Sequence, residues 1–323
     1  MKPRVYVAKH FSKEVISYIE NYCECEVWEG EGEISREELL EKIEDKNGVI
    51  LTSIKIDKEF LDRAPNLKVV SNMSVGYDNF DLDIMKSRNI IGTNTPEVLD
   101  NSVADLVFGL MLSSARRIVE CDKYLREGKW KSQYDESYYG IDVYGKTLGI
   151  IGMGRIGEAI AKRAKFGFDM NVFYHNRSRK LETEGNLGVK YLDLQELLKR
   201  SDFVVLMTPL TRETYRLMGA DEFRVMKETA IFINASRGQT VDEKALIEAL
   251  KSGQIRAAGL DVYEKEPIDI NNELINLNNV VILPHLGSAT FETRNSMAKL
   301  SSENMVKALI GERVPNIVKE LKE

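Results

Sequence analysis

Three apolar runs in the second half of the chain each lead into a polar residue able to do chemistry. AIFINAS is followed by Arg237, GLDVYEKEP carries Glu266, and VVILP delivers His285. In an open α/β sheet, ligands lie beyond the carboxyl ends of the strands, so this cation, carboxylate and imidazole are expected along one edge. Together they suit a carbonyl reduction. Charge builds on the carbonyl oxygen as hydride adds to the carbon, and a positioned acid must then give up a proton, which an imidazole does well near neutral pH. His285 takes that role. Glu266 would orient the ring and favour its protonated form, while Arg237 would clamp a substrate carboxylate and polarise the adjacent carbonyl. Neither His10, early in the chain, nor His175, at a strand end where ring packing explains it equally well, has such company.

A hydride donor is implied by TLGIIGMGRIG at 147–157. Gly152, Gly154 and Gly157 follow an apolar strand and precede the helical run EAIAKRAKFGF, the context in which GxGxxG binds a dinucleotide. The first glycine permits the turn, the second lets backbone approach a pyrophosphate, and the third lets helix and strand pack closely. The N–H groups near Arg155 and Ile156 would meet the anion. An NAD site usually carries Asp or Glu at the end of the next strand, about 20 residues on, to bind the ribose hydroxyls. Here that strand ends in Asn176, Arg177 and Ser178. The carboxylate that would repel a 2′-phosphate is missing, and a cation and a hydroxyl stand ready to hold one, so NADPH is expected over NADH.

The elements that must position these groups are legible as alternation. RVYVA, CEVW, GVIL and LKVVS are strand-like runs separated by helical stretches, with Ser12, Ser35 (answered by Glu38) and Asp57 as start signals. A second series runs through TLGIIG, NVFYHN, FVVLMTP, AIFINAS, RAAGLDVY and VVILPH. Such βα alternation argues parallel sheets. Between the series, a long helix from Asp100 is apolar nearly all round, with Val103, Leu106, Val107, Leu110 and Met111 at helical spacing behind a Ser102-to-Asp105 capping signal. It is expected to pack between domains or subunits. A crossing loop is expected over 132–142, and the last helix, from about Thr290 to Ile310, should fold back onto the first domain. The expected fold is α/β with two doubly wound parallel-sheet domains: a flavodoxin-like substrate domain (1–99 and 290–323) and a Rossmann cofactor domain (100–289).

Composition excludes several alternatives. With 323 residues the chain can bury two cores. A net charge of −6 and scattered basic residues argue against a nucleic-acid partner. No stretch approaches the roughly 20 apolar residues of a membrane span, and the N-terminus lacks the apolar core of a signal peptide, so a cytoplasmic protein is expected. Cys23, Cys25 and Cys121 support neither a disulfide framework nor a metal site; the first two flank Glu24 as one face of a strand would.

Five segments in this order carry a family resemblance: NMSVGYDNFD (72–81), KTLGIIGMGRIG (146–157), FINASRG (232–238), AAGLDVYEKEP (257–267) and LPHLGSAT (283–290). The sequence resembles the D-isomer-specific 2-hydroxyacid dehydrogenases, and within them most closely the glyoxylate and hydroxypyruvate reductases, including those that also reduce 2-ketogluconate. The resemblance implies the same catalytic set, Arg237, Glu266 and His285. It adds a carboxylate site at the N–H groups of Val75 and Gly76, and a cofactor lining of Thr208, Pro209, Ala235, Ser236 and Asp261, the last near the carboxamide. It also implies a homodimer built on the cofactor domain and its long helix, with Trp130 either reaching the partner's substrate site or packing in the interface. The departure from the NAD-using pattern is Asn176. A second class of function, a non-catalytic nicotinamide-sensing protein, shares the fold but has no need of the complete Arg237, Glu266 and His285 set.

Overall fold

The computed structural model describes residues 1–131 and 136–322. The chain divides into two compact units, one of Met1–Leu99 with the segment from Ala289 onward, the other Asp100–Ser288.

In the first unit, β1 (Arg4–Val7), α1 (Lys13–Glu20), β2 (Glu24–Val27), α2 (Arg36–Lys42), β3 (Gly48–Leu51), α3 (Lys58–Arg63), β4 (Val69–Asn72), α4 (Leu82–Ser87) and β5 (Ile91–Thr93) alternate without exception. The five strands are parallel in the order β2-β1-β3-β4-β5, the flavodoxin-like arrangement. Central strands covered on both faces must be apolar throughout, and GVIL of β3 is buried at all four positions. Ser35 and Asp57 cap α2 and α3 as the sequence predicts, each accepting the backbone N–H three residues on. Ser12 also precedes a helix but makes no such bond; its hydroxyl donates to Asn295 instead. The strand β5 is too short and too polar to stand out in the sequence, and it was not expected. Cys23 is buried just ahead of β2, and Cys25 lies within it.

The second unit opens with α5 (Asp100–Ala115) and α6 (Ile118–Arg126). A 3-10 turn at Glu136–Tyr138 follows, so the expected crossing loop begins outside the described residues. Then come β6 (Thr147–Ile151), α7 (Arg155–Phe168), β7 (Asn171–His175), α8 (Leu181–Leu187), β8 (Lys190–Tyr191), α9 (Leu194–Arg200), β9 (Phe203–Leu206), α10 (Ala220–Val225), β10 (Ile231–Asn234), α11 (Glu243–Lys251), β11 (Ala257–Leu260) and β12 (Val280–Ile282). Their order, β12-β11-β10-β9-β6-β7-β8, is the doubly wound Rossmann pattern with its reversal between β6 and β9. Phe203 and Phe232 are fully buried, each contributing on the order of 1.5–3 kcal/mol of burial. The two-residue β8 is another element the alternation missed.

Two expectations about α5 change. The helix starts at Asp100, so Ser102 lies inside its first turn and donates to the Gly287 carbonyl rather than capping. Its apolar surface is used within its own unit: it packs on α7, β10, β11 and β12, with Phe108 stacked on Phe168 at 5.0 Å. Gly259 of β11 makes that approach possible, since a Cβ there would sit 3.0 Å from Leu110 Cβ. The next helix, α6, carries exposed apolar residues at Ile118, Val119 and Leu125.

The last helix, α12 (Phe291–Ile310), is part of the first unit and packs on α1, β3, β4 and β5. Its buried face is small and polar at Ser301 and Ser302; Ser71 of β4 donates to the Ser301 carbonyl at 2.8 Å. Among the described residues no helix is long and apolar enough to cross a membrane.

Candidate active site

The glycine turn behaves differently at each of its three positions. Gly152 has φ +106°, and a Cβ there would meet the Met207 carbonyl oxygen at 2.5 Å, so strain and crowding both require glycine. A Cβ on Gly157 would lie 2.4 Å from the Gly152 carbonyl oxygen, which lets α7 sit tight against the turn. Around Gly154, by contrast, there is open space. It is the N-cap of the 14-residue α7, so the N–H groups of Arg155 and Ile156 begin the helix with no intrahelical acceptor and face outward. Beside the turn, at the end of β9, the buried Thr208 Oγ1 hydrogen-bonds to no described group. An open glycine, helix-start donors and an orphaned hydroxyl fit a dinucleotide phosphate. Arg155 itself is tied by its side chain to Asp100 at 3.1 Å.

At the end of β7 the side chain of Asn176 turns inward. Its Oδ1 accepts the Met153 N–H at 2.7 Å and its Nδ2 donates to the Met153 carbonyl at 3.3 Å, so it braces the glycine turn. Arg177 and Ser178 are exposed. Glu213, in the loop after β9, has its carboxyl held below the usual range by the Thr211 hydroxyl first, then by backbone and by the charges of Arg177 and Arg212. Arg212 was not singled out in the sequence; only the sheet order, which sets the β7 and β9 loops on either side of β6, brings it toward Arg177. Pro209 accepts from Thr214 Oγ1 at 2.6 Å. His175 stacks beside Tyr191 and hydrogen-bonds to the Leu192 carbonyl, a packing role.

The strands β10, β11 and β12 are parallel neighbours, so the residues after them share the carboxyl edge of one sheet. Glu266 Oε2 lies 2.7 Å from His285 Nδ1, and Glu266 Oε1 accepts the Tyr263 N–H at 3.1 Å. With Nδ1 committed to the carboxylate, Nε2 is the nitrogen left to a ligand. Burial pushes the Glu266 carboxyl up, but the His285 hydrogen bond and charge, the Tyr263 N–H and the Arg237 charge outweigh it and hold the pKa below the usual value. Arg237 therefore acts electrostatically on the pair; its Nη1 donates to the Ser236 carbonyl at 2.8 Å. Ser236 is buried, its hydroxyl given to Asn234 at 2.8 Å, and Ala235 precedes it at the strand end.

His285 is held in the left-handed region, at φ +53°. For a residue with a Cβ this costs roughly 1–2 kcal/mol, and Asp261 supplies what offsets it. Its two oxygens accept the next two N–H groups, Leu286 at 2.6 Å and Gly287 at 2.8 Å. Asp261 is almost fully buried, and burial raises its pKa above the usual value despite those donors and the His285 charge. Tyr263, also missed in the sequence, joins the two turns: its phenol donates to the Leu283 carbonyl at 2.8 Å while its N–H holds Glu266.

In the other unit, the loop after β4 holds Val75 and Gly76. The Ser74 carbonyl accepts the Thr95 N–H, and the Val75 carbonyl accepts Asn94 Nδ2, both at 2.9 Å. In a trans peptide the N–H points opposite the C=O, so the N–H groups of Val75 and Gly76 are both turned away from the 94–95 segment. Among the described residues no group of three or more His, Cys, Asp or Glu could hold a metal ion.

Residues 108–287 match the family model described as D-isomer specific 2-hydroxyacid dehydrogenase, NAD binding domain. The chain belongs to this family. It is 47% identical over 323 residues to a glyoxylate reductase of Pyrococcus furiosus, covering 98% of this chain and 96% of that one. It is 48% identical over 271 residues to glyoxylate/hydroxypyruvate reductase B of an Enterobacter species, covering 84% of each. Among solved structures, an NADPH-dependent glyoxylate/hydroxypyruvate reductase of Sinorhizobium meliloti, in complex with NADP and malonate, is 31% identical with a TM-score of 0.86. That similarity covers 99% of this chain and 98% of that one. As a 2-hydroxyacid dehydrogenase, the chain has the two parallel-sheet α/β units of its relatives, and the second is its nicotinamide-dinucleotide domain.

Proposed function

We propose that this dehydrogenase reduces small 2-keto acids, glyoxylate and hydroxypyruvate among them, to D-2-hydroxy acids, with NADPH preferred over NADH. The observation that carries the reading is the 2.7 Å contact between Glu266 and His285, beside Arg237 on the same sheet edge. The names of the relatives, glyoxylate reductase and glyoxylate/hydroxypyruvate reductase, support the substrate class.

When bound, the reduced nicotinamide supplies the hydride. His285, its ring fixed through Nδ1, gives a proton from Nε2 to the carbonyl oxygen, and Glu266 stabilises the charged ring beforehand. The ring is partly exposed, so solvent can restore that proton. Arg237 pairs with the substrate carboxylate and draws electrons from the neighbouring carbonyl. The N–H groups of Val75 and Gly76, turned away from the 94–95 segment, are donors suited to a carboxylate. Arg155, Ile156, Thr208, Pro209, Ala235, Ser236 and Asp261 are assigned to the cofactor. For its preference the support is the absence of a carboxylate at the end of β7, with Arg177 and Ser178 exposed to receive a 2′-phosphate.

The protein is proposed to act in the cytoplasm as a homodimer. The exposed Ile118, Val119, Leu125 and Trp130 on and after α6 support the dimer.

A panel of 2-keto acids, including 2-ketogluconate, assayed with both cofactors tests the reading. Turnover is expected with glyoxylate and hydroxypyruvate and a higher specificity constant for NADPH. A higher constant for NADH sinks the preference, and failure of every 2-keto acid despite tight NADPH binding favours a nicotinamide-sensing protein.

A further inference from the structure

Arg237 belongs to a loop closed by buried polar side chains. The strand β10 ends on Asn234, which is 1% exposed; Thr240 is fully buried and Ser236 nearly so. Asn234 Oδ1 accepts both the N–H and the hydroxyl of Ser236, at 3.0 and 2.8 Å. On the other side, two side chains converge on one atom, the backbone carbonyl of Arg237. Asn234 Nδ2 donates to it at 3.1 Å and Thr240 Oγ1 at 2.6 Å. The Thr240 N–H reaches the same oxygen at the longer distance of 3.2 Å. Buried donors without an acceptor are costly, so the two side-chain bonds, together with that backbone bond, fix the peptide that follows Arg237.

The closed loop is in turn docked on the turn that bears Glu266. A Cβ on Gly238 would sit 1.8 Å from the Tyr263 carbonyl, and Gln239 Nε2 donates to the Glu264 carbonyl at 2.8 Å. Tyr263 is the residue whose N–H holds Glu266. The Arg237 peptide and the Glu266–His285 pair are thus built onto one rigid segment, Asn234 and Thr240 setting the loop's shape and Gly238 its distance.

We propose that Asn234 and Thr240 are positioning residues for Arg237: by fixing its carbonyl they aim its guanidinium, and they act on turnover only through it. This rests on the proposed role of Arg237 in carbonyl reduction. A shift of about 1 Å in a positioned group can cost on the order of 100-fold, so loss of one of the two bonds should be readable in the rate.

The test is a double-mutant cycle on the full chain. Thr240→Val, close in size but without the hydroxyl, is expected to lower kcat/KM for glyoxylate about 10-fold, with the Kd for the cofactor changed less than about twofold. Thr240→Ser, which keeps the donor, should restore most of the rate. In an Arg237→Gln background, Thr240→Val should change the residual kcat/KM less than about twofold, because the group it aims is gone. An equal loss in both backgrounds overturns the proposal, since it marks a general structural effect, and so does no loss in either. Should Thr240→Val not fold, Asn234→Asp replaces the other donor to the same carbonyl and enters the same cycle. If Arg237→Gln alone leaves kcat/KM intact, the functional reading of Arg237 fails and the proposal falls with it; that result is read on the single variant, apart from the cycle.

Discussion

Glu266 divides its carboxylate between two neighbours, Oε2 to His285 Nδ1 at 2.7 Å and Oε1 to the Tyr263 N–H at 3.1 Å. The second bond keeps the first in place: the carboxylate cannot rotate away from the imidazole without giving up a backbone donor. It also commits the ring's Nδ1, so that Nε2 is the nitrogen left to a ligand. This geometry sets the first two expectations.

Glutamine at His285 removes the proton donor while keeping a side chain of similar reach. Turnover of 2-keto acids should fall roughly 100- to 10,000-fold. Cofactor affinity, measured by fluorescence titration of NADPH, should be unchanged. Retained turnover would reject His285 as the acid.

Glu266→Gln removes the carboxylate that fixes the ring through Nδ1, so turnover of 2-keto acids should fall about tenfold or more while cofactor affinity is kept. A second consequence concerns stability. The folded carboxyl titrates below its ordinary value of 4.5, so the stability its ionised form contributes is present above that pH and lost as pH falls through the folded value. Melting temperatures of wild type and Glu266→Gln, compared from pH 7 downward, should therefore converge on the acid side. Unchanged turnover together with a constant melting difference would count against the pairing.

The two glycines Gly152 and Gly154 should respond to alanine in opposite ways. At Gly152 the left-handed backbone and the Met207 carbonyl at 2.5 Å leave no room, so Gly152→Ala should destabilise the protein by on the order of 2 kcal/mol or more. At Gly154 the space is open, so the variant should melt near wild type and lose cofactor affinity instead. Thermal melts with and without NADPH separate the two; a Gly154→Ala protein that binds normally would mean that phosphate does not approach there.

Arg177→Gln should raise KM for NADPH about tenfold and leave that for NADH nearly unchanged, since a charge-assisted contact to a phosphate contributes about 1.5 kcal/mol or more. The same variant should lose part of the salt dependence of NADPH binding. Equal changes for both cofactors would show that Arg177 does not read the 2′-phosphate.

An exposed apolar α6 predicts association. Val119→Glu with Leu125→Glu should shift the protein to monomer in light scattering, while wild type remains a dimer. A wild-type monomer at micromolar concentration would reject the interface.

Local patterns in the sequence determined a great deal. The apolar runs fixed most strands because a covered parallel strand must be apolar on both faces. GxGxxG carries its own backbone requirement, and Ser35 and Asp57 mark helix starts through bonds only three residues long. Elements without a strong local pattern, β5 and β8, stayed invisible. Asp100 displaced Ser102 as the start of α5 because the serine found a partner, the Gly287 carbonyl, that is distant in sequence. The same reason separates the two halves of the site. That Arg237, Glu266 and His285 follow strands is written in the sequence. That Glu266 meets His285 through Nδ1, that Asp261 holds the left-handed turn, that Asn176 braces Met153, and that Asn234 and Thr240 close on the Arg237 carbonyl were decided only in the fold. Each is a hydrogen bond at short range in space, and most join strands or loops whose neighbourhood comes from the sheet order, which no local pattern of residues specifies.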